Sequence, residues 1–509
     1  MFETTGTRRS RPGFLRAVTR RFGTWPLFGV ILVWVVLALV VFTVLGWLWG
    51  EGPLWSWQRW LTNWRGAGAG AGSLDLVKVS LTTIGGIGGT GYLVIKYRER
   101  ASAERADAEQ RLLSGVQQLG SGSPQVRIAG VYSLADVADT YRGEYRQRVV
   151  SILCGYLRTQ RGEWKTIVNE QDGPEQSSEE KVYVSHDGAV ESTVLEVLVR
   201  HLRKRREKTK HREAVTQLVE DDQLWCDCTI DLHDTVLTEI ADFQDATFTH
   251  DANFSGATFN CANFRGATFT NNADFGGATF NRDANFQGAT FTNNAHFGGA
   301  TFNHNAHFGG ATFNRTNFQG ATFTHYANFG GATFNRDANF QGATFNRDAD
   351  FGGATFNRDA NFERATFNRD ANFERATFTN DANFQDATFT NNANFRGATF
   401  TNNANFEGAT FTNDANFWGA TFTNGAYFSG ATFTNHANFQ GATFNRDAYF
   451  RGATFTNHAH FEGATFSRSA PPRGLPPGWV DEDGLPHGAR WADADDEGLE
   501  AGSSDDAPR

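Results

Sequence analysis

The chain has 509 residues, and its 56 acidic side chains outnumber its 46 basic ones to give a net charge of −10 at pH 7. This acidic balance argues against general binding to nucleic acid. Four cysteines are too few for a disulfide-stapled secreted domain and agree with a reducing compartment. The sequence contains no G-x-S-x-G, Walker or H-E-x-x-H pattern, so it predicts neither an enzyme nor a cofactor.

The N-terminal part has the pattern of a membrane anchor. Residues 25–49 are uncharged and mainly apolar, long enough to cross a hydrocarbon core of about 30 Å. Residues 1–24 carry six arginines against one glutamate, Glu3, so the positive-inside rule places the N-terminus in the cytoplasm. A cleaved signal peptide is the alternative, but the apolar run is too long and no small-residue cleavage site follows it.

A second, weaker span is predicted at 74–97, which is rich in glycine and begins with Asp75 and Lys78. Residues 50–73 between the spans hold four tryptophans and are predicted to form a short external loop. The two spans predict a transmembrane hairpin in the cell membrane with all later residues in the cytoplasm. A G-x-x-x-G spacing at Gly85 and Gly89 favours either packing within this hairpin or dimerisation.

Residues 98–224 predict a small helical domain. Apolar residues recur at helical spacing in 126–138 and 149–158, a polar linker covers 169–180, and a further helix is predicted at 192–219. We expect this domain to pack on the first coil of the repeat described below and to cap it.

A basic segment ends this domain. Its side chains could lie on an anionic membrane surface, and nucleic-acid binding is the weaker alternative because no aromatic residues are interleaved. The predicted contact residues are Arg200, Arg203, Lys204, Arg205 and Arg206.

Cys226, Cys228 and His233 form a C-x-C pattern with a nearby imidazole. Zinc sites usually show two paired clusters, and only one is present here. The sequence therefore predicts no metal site.

Residues 225–469 carry a phenylalanine repeat. Of the 47 phenylalanines, 42 fall between Phe243 and Phe466 at intervals of five or six residues, and 41 of these have alanine two positions earlier. The working unit has eleven residues, as in ANFQG-ATFTNN at 284–294. Neither a 3.6-residue helical period nor strict alternation produces this spacing.

Short extended pieces separated by tight turns do produce it. Alanine and phenylalanine two apart point the same way in a strand. Glycines such as Gly256 follow the ANF pieces, and Asn, Arg or Asp follow the ATF pieces; these residues tolerate the left-handed conformation of tight corners.

These residues give the chain a clear resemblance to the pentapeptide-repeat family, whose pattern is A(D/N)(L/F)xx. The resemblance implies a right-handed quadrilateral β-helix of about ten coils, with four repeats per coil and the phenylalanines and alanines filling its axis. The predicted structural ladder includes Phe254, Phe259, Phe264, Phe269, Phe275, Phe280, Phe286, Phe291, Ala284 and Ala289.

This chain departs from the family pattern by one extra residue after each ATF. Four faces with spacings of 5, 6, 5 and 6 predict coils of 22 residues with the extra residue at two opposite corners. Two units, ending at Phe264 and Phe318, lack the extra residue, and the second has Thr316 in place of the inward alanine, so a local irregularity is expected there. Outward Asn and Thr should form ladders between coils.

The order of the predicted segments is similar to that of membrane-anchored, actinobacterial-like bacterial pentapeptide-repeat proteins. We therefore expect a non-catalytic scaffold tethered to the membrane that presents the rod to an unknown protein partner.

The alternative function is the DNA mimicry known for pentapeptide-repeat proteins that act on type II topoisomerases. Residues 241–466 hold 18 acidic residues and 12 arginines, a net charge of six negative, whereas B-DNA of about 50 Å carries roughly 30 charges. Four aspartates, at 337, 348, 359 and 370, form a run at eleven-residue intervals, but each follows an arginine. The charge count therefore favours the scaffold.

Residues 470–509 are rich in Pro, Gly and acidic side chains and predict a disordered tail. Trp479 or Trp491 could fold back over the last coil, or that end could pair with a second copy to form a homodimer.

Overall fold

The computed structural model describes residues 36, 40, 71–169, 178–205, 215–475 and 477–492. The chain divides into two compact units, residues 1–109 and 110–509. In the first unit the described backbone is helical, and from Ala71 onward it belongs to α1 (Ala71–Leu119).

The prediction of a transmembrane hairpin is wrong. Residues 74–97 lie within α1, yet no helix in the described part of the chain is both long and apolar enough to cross a bilayer. Asp75, Lys78 and five glycines lower the apolar character of this stretch, and α1 continues into charged sequence after Lys96.

The other membrane predictions concern residues 25–73 and the localisation of the protein. The first span, 25–49, and the loop, 50–73, fall outside the described residues, except for helical Val36 and Val40 and the first residues of α1. The predicted multi-pass localisation in the cell membrane is corrected together with the hairpin.

Helices and a β-hairpin precede the repeat in the second unit. They are α2 (Pro124–Tyr141), α3 (Glu144–Arg158), β1 (Gly162–Asn169), β2 (Ser178–Ser185) and α4 (Gly188–Leu202). The strands are antiparallel, with Gly162 opposite Ser185 and Asn169 opposite Ser178. A Cβ on Gly162 would lie 2.2 Å from the carbonyl oxygen of Val184, so this position requires glycine.

Two sequence predictions for this region are corrected. The predicted linker at 169–180 contains the start of β2, and the predicted helix at 192–219 is α4, which begins at Gly188 and ends at Leu202. The helix ends where consecutive basic side chains begin, because like charges three or four residues apart destabilise a helix.

The repeat folds as a right-handed β-solenoid of about 12 turns, two more than the phenylalanine count predicts. Each turn has four faces, which we number 1 to 4 in chain order from Ile230. Faces 1 and 3 carry the ANF strands and faces 2 and 4 the ATF strands. Equivalent residues of successive coils pair in parallel, as Thr344 does with Thr366, 22 positions later.

The strands of the solenoid follow by face. Face 1 contains Ile230–Asp231, Ala252–Asn253, Ala273–Asp274, Ala338–Asn339, Ala360–Asn361, Ala382–Asn383, Ala404–Asn405, Ala426–Tyr427 and Ala448–Tyr449. Face 2 contains Thr279–Phe280, Thr301–Phe302, Thr322–Phe323, Thr344–Phe345, Thr366–Phe367, Thr388–Phe389, Thr410–Phe411, Thr432–Phe433 and Thr454–Phe455. Face 3 contains Ala284–Asn285, Ala306–His307, Ala327–Asn328, Ala349–Asp350, Ala371–Asn372, Ala393–Asn394, Ala415–Asn416, Ala437–Asn438 and Ala459–His460. Face 4 contains Thr247–Phe248, Thr268–Phe269, Thr333–Phe334, Thr355–Phe356, Thr377–Phe378, Thr399–Phe400, Thr421–Phe422, Thr443–Phe444, Thr465–Phe466 and Arg490–Trp491.

Four longer strands turn a corner between two faces, and one of them contains Thr316, where the irregularity is predicted. Val236–Asp242 and Thr258–Asn263 join faces 2 and 3, and Thr290–His296 and Thr312–Asn317 join faces 4 and 1. Where the extra residue is missing, the strand continues through the corner without interruption. The neighbouring coil, one residue longer, then forms a register shift, as between Phe291 and Asn294.

The extra residues lie at the corners between faces 2 and 3 and between faces 4 and 1, which are opposite corners, as predicted. The other two corners use a residue with positive φ, usually glycine. Three such positions in the middle coils carry other residues: Arg364, Arg375 and Asp386 have φ of 54°, 55° and 54°. A left-handed backbone at a non-glycine residue costs roughly 1–2 kcal/mol.

The axis of the rod is filled by stacked rings. Phe345 and Phe367 lie 4.7 Å apart between ring centroids and are parallel, while Phe340 meets Phe351 edge-on at 5.4 Å. Both arrangements suit the aromatic quadrupole. The ladder residues predicted from the sequence, Phe254 to Phe291 with Ala284 and Ala289, are at most 1% exposed.

The helical domain covers the first coil, as expected from the sequence. Trp225 is fully buried, stacks on His201 of α4 at 4.0 Å and donates a hydrogen bond to Asp139 at 3.0 Å. The side chains of α2, α3 and α4 join the phenylalanine axis in one continuous apolar core.

The residues after Phe466 cover the last coil, so the prediction of a disordered tail is wrong for 470–475 and 477–492. Trp491 extends face 4 by pairing in parallel with Phe466, and Trp479 packs on Phe455 at 4.9 Å between ring centroids. Leu485 is 2% exposed. Of the two alternatives left open by the sequence, the fold-back is the one observed.

Candidate interaction surface

A buried ion pair fixes the hairpin and the first coil to each other. The guanidinium of Arg161, directly before β1, lies 2.5 Å from the carboxylate of Glu191 in α4. These two side chains are 4% and 0% exposed. Glu191 also accepts hydrogen bonds from the backbone N–H groups of Thr238 and Glu239 at 2.6 and 2.9 Å, and Arg161 donates to the carbonyl of Val236 at 2.8 Å. These bonds satisfy the buried charges and hold the irregular corner of the first coil.

A second contact at the base of the hairpin involves Asp187, which follows β2. Arg127 of α2 donates to its carboxylate at 2.7 Å, and the hydroxyl of Tyr156 of α3 donates to the second oxygen. The start of β1 and the end of β2, which lie side by side at the base of the hairpin, are therefore both attached to the domain that caps the rod.

A groove of about 890 Å³ lies between the hairpin and the rod; we call it the hairpin groove. One wall is aromatic: Trp164 and Tyr183 meet edge-on at 5.3 Å, and Trp164 is 54% exposed. The other wall is the corner between faces 2 and 3 of the first coils. Its lining on that side includes Thr238, Asn260, Cys261, Asn281, Arg282, Asp283, Asn303 and His304.

Two sets of asparagines form ladders along the rod. On face 3, Asn394 donates to Asn372 of the preceding coil at 3.1 Å while accepting from the backbone N–H of Arg396 at 3.1 Å, so each such asparagine also caps its own turn. A second ladder, at the longer corners, was not predicted: Asn424 donates to Asn402 at 2.9 Å. The predicted Thr ladder includes a bond from Thr465 to Thr443 at 3.3 Å.

One tryptophan stands on this polar surface. Trp418 is 45% exposed at the corner between faces 3 and 4, and the guanidinium of Arg396 lies 4.6 Å from its ring centroid. Neither Trp164 nor Trp418 was predicted from the sequence to be a surface contact residue. Trp418 could have been found, since it is the sole tryptophan between residues 232 and 470.

The acidic run expected at eleven-residue intervals does not form one stripe. Because one coil takes 22 residues, Asp337 and Asp359 lie at the corner between faces 4 and 1, whereas Asp348 and Asp370 lie at the opposite corner. Glu363 and Glu374 are separated in the same way, at the other two corners. The negative charge is therefore divided among the sides of the rod.

The basic segment is only partly exposed to solvent. Arg203 contacts the first coil, where it donates to the carboxylate of Asp242 at 3.0 Å and to the carbonyl of Gln244 at 3.0 Å. Arg200, Lys204 and Arg205 are exposed, and Arg206 lies outside the described residues. Contact of these side chains with a membrane surface stays an untested prediction.

The cysteine pattern at 226–228 does not converge on a ligand set. Cys226 and Cys228 are buried, and burial raises the pKa of the Cys228 thiol to about 12. His233 instead contacts Asp231 at 2.7 Å. Within the described ranges no group of His, Cys, Asp and Glu side chains has the arrangement of a metal site.

Comparison with known proteins identifies the repeat. The family described as Pentapeptide repeats (9 copies) matches residues 232–279, 264–312, 304–344, 340–388, 384–432 and 428–470. No curated protein and no solved structure matches the chain. The predicted membrane-anchored, actinobacterial-like subgroup is not part of this match. The chain thus carries a pentapeptide-repeat domain over residues 232–470.

Proposed function

We propose that this protein is a non-catalytic scaffold that binds an extended segment of a partner protein in the hairpin groove. The groove itself supports the proposal, because it places an aromatic wall opposite a polar corner of the rod. In that wall Trp164 is 54% exposed. Tryptophan and tyrosine are enriched where protein partners bind tightly.

The hairpin offers backbone groups as well as rings. In the described part of the chain, β1 and β2 form a sheet of two strands, so each strand has one edge that is not paired with another strand. An extended peptide can add to such an edge by main-chain hydrogen bonds while its side chains reach the adjoining pocket. The asparagines and Arg282 on the rod side supply polar partners for those side chains.

The groove is held in place before any partner arrives. The Arg161–Glu191 pair and the Asp187 contacts attach the base of the hairpin, where β1 begins and β2 ends, to the capping domain. A preorganised site loses less conformational entropy on binding, which favours affinity.

DNA mimicry is the weaker function, since the acidic residues are distributed over different corners and several lie beside arginines. Arg364, for example, lies 3.4 Å from Glu363 and 4.0 Å from Asp386.

Co-purification with matched variants tests the proposal. Tagged full-length protein is compared with Trp164→Ala and with Lys165→Ala, the next residue along β1, which is similarly exposed (54% as a side chain) but not part of the groove lining. We expect a protein partner that is retained by the wild type and by Lys165→Ala, and reduced at least about tenfold with Trp164→Ala. Equal recovery with all three proteins would refute binding in this groove.

A further inference from the structure

A ridge of long side chains runs along the corner between faces 3 and 4 in the later coils. It consists of Glu374, Arg396, Trp418, Gln440 and Glu462, each one coil after the previous one. The same position in the three preceding coils is glycine: Gly309, Gly330 and Gly352. Five levels at about 4.8 Å per coil give the ridge a length of about 20 Å.

The ridge is rigid at its backbone. The N–H groups of Arg396, Trp418 and Gln440 donate to the side-chain oxygen of the asparagine two residues earlier, at 3.1, 3.0 and 2.9 Å. Trp418 is 45% exposed beneath the Arg396 guanidinium. Tryptophan and arginine dominate binding hot spots, and these two are held on a fixed spacing.

We infer that the ridge is the contact surface for a second copy of the chain, arranged antiparallel about a two-fold axis between the levels of Arg396 and Trp418. In this arrangement each Arg396 faces Trp418 of the other copy, so two cation–π contacts form between the copies. Glu374 then faces Gln440, whose side-chain nitrogen donates one hydrogen bond to Glu462 at 3.0 Å and has a second hydrogen to donate. Glu462 faces Gly352, and no like charges along the ridge oppose each other.

Other registers fit less well. A two-fold axis at Trp418 itself brings Glu374 opposite Glu462, two like charges. An axis between Trp418 and Gln440 pairs Arg396 with Glu462 but leaves each tryptophan against a glutamine. The chosen register alone uses both hot-spot residues of both copies.

This inference goes beyond the proposed function because it concerns a different surface, at the far end of the rod from the hairpin groove. Trp164→Ala should leave self-association unchanged, and Trp418→Ala should leave groove binding measurable. Failure of one proposal is therefore distinguishable from failure of the other.

The test measures the mass of the full-length chain by sedimentation over a concentration series. Wild type should form a dimer, and Trp418→Ala should weaken it at least about tenfold. Gln287→Ala is the control, since Gln287 occupies the same turn position in an earlier coil and is exposed. A monomeric wild type at all concentrations, or a dimer equally stable in Trp418→Ala, would overturn the inference.

Cysteine crosslinking tests the register. The double variant Glu374→Cys/Gln440→Cys should form disulfide-linked dimers on mild oxidation, because these positions face each other across the two-fold axis. Each single variant should not. Efficient crosslinking of Gln440→Cys paired with Trp418→Cys, in place of the predicted pair, would contradict this register.

Discussion

Phe351 in the middle of the rod provides a quantitative test of the close-packed axis. Its ring lies 4.8 Å from both Phe329 and Phe373 in parallel stacks and 5.4 Å from Phe340 and Phe362 in edge-on contacts. Phe→Ala in a packed core costs about 3–5 kcal/mol, a range that includes the lost ring contacts, and each aromatic pair is worth about 0.5–1.5 kcal/mol. Because Phe351 also meets Phe345 and Phe356, at 5.9 and 6.5 Å, six aromatic pairs are lost together, and we expect Phe351→Ala to fall near the upper end, about 5 kcal/mol.

The central position of Phe351 in the stack also determines how Phe351→Ala changes the unfolding of the rod. In a solenoid each coil contacts only its neighbours, so a central cavity uncouples the two halves of the rod. Urea unfolding should therefore split into two transitions, and amide exchange should rise in the coils on either side of Phe351. The matched change is Phe455→Ala at the last full coil, where the ring stacks on one phenylalanine, Phe433, and is covered by Trp479. It should cause local fraying only.

A cost of less than about 1.5 kcal/mol for Phe351→Ala, the range of volume-conserving swaps, would contradict a close-packed axis. The same exchange pattern in Phe351→Ala and Phe455→Ala would contradict the uncoupling of the two halves.

Three further predictions concern the corners, the ion pair and the thiols. Arg364→Gly should stabilise the rod by roughly 0.5–1 kcal/mol in urea unfolding, because relief of the left-handed strain exceeds the added entropy of the unfolded chain; a destabilised variant would contradict this. Glu191→Gln should cost about 3–5 kcal/mol, since it leaves a buried arginine without its counter-charge, and amide exchange at Thr238 should accelerate first; unchanged exchange at that amide would be the contrary result. In native protein a thiol reagent at neutral pH should modify Cys261 alone, because burial raises the pKa of both Cys154 and Cys228 to about 12 and Cys226 is buried; rapid modification of a second thiol would show that the capping domain opens.

The repeating part of the fold could be predicted because the same pair, alanine and phenylalanine two residues apart, recurs in every turn of the solenoid. Alanine and phenylalanine two apart give the inward strand face, and the 5, 6 spacing gives the two kinds of corner. The missing residue and Thr316 in the unit that ends at Phe318 predict an irregularity, which is the continuous strand Thr312–Asn317.

The number of turns was underestimated because the end coils do not use the repeat. Leu237 takes the phenylalanine position in the first coil and Trp491 takes it after the last one. A count of phenylalanines does not include other residue types that occupy the same position in the stack.

The candidate surfaces were harder to predict for a different reason. The hairpin groove brings Trp164 close to Asn303, residues that are far apart in sequence and linked only through the packing of the capping domain. The eleven-residue spacing of the aspartates does not place them on one side of the rod, because side chains eleven residues apart lie at opposite corners of a 22-residue coil. The transmembrane prediction at 74–97 gave weight to its apolar residues and too little to its five glycines and three charges.

Site-specific photocrosslinking tests the proposed scaffold most directly. A photoreactive residue at position 304, exposed in the hairpin groove, is compared with one at Asn335, exposed at the opposite corner of the rod. Binding in the groove predicts a crosslinked partner protein from position 304 that disappears when Trp164→Ala is added, and no crosslink to that partner from position 335. Equal crosslinking from both positions, or a crosslink from 304 that survives Trp164→Ala, would contradict the proposed function.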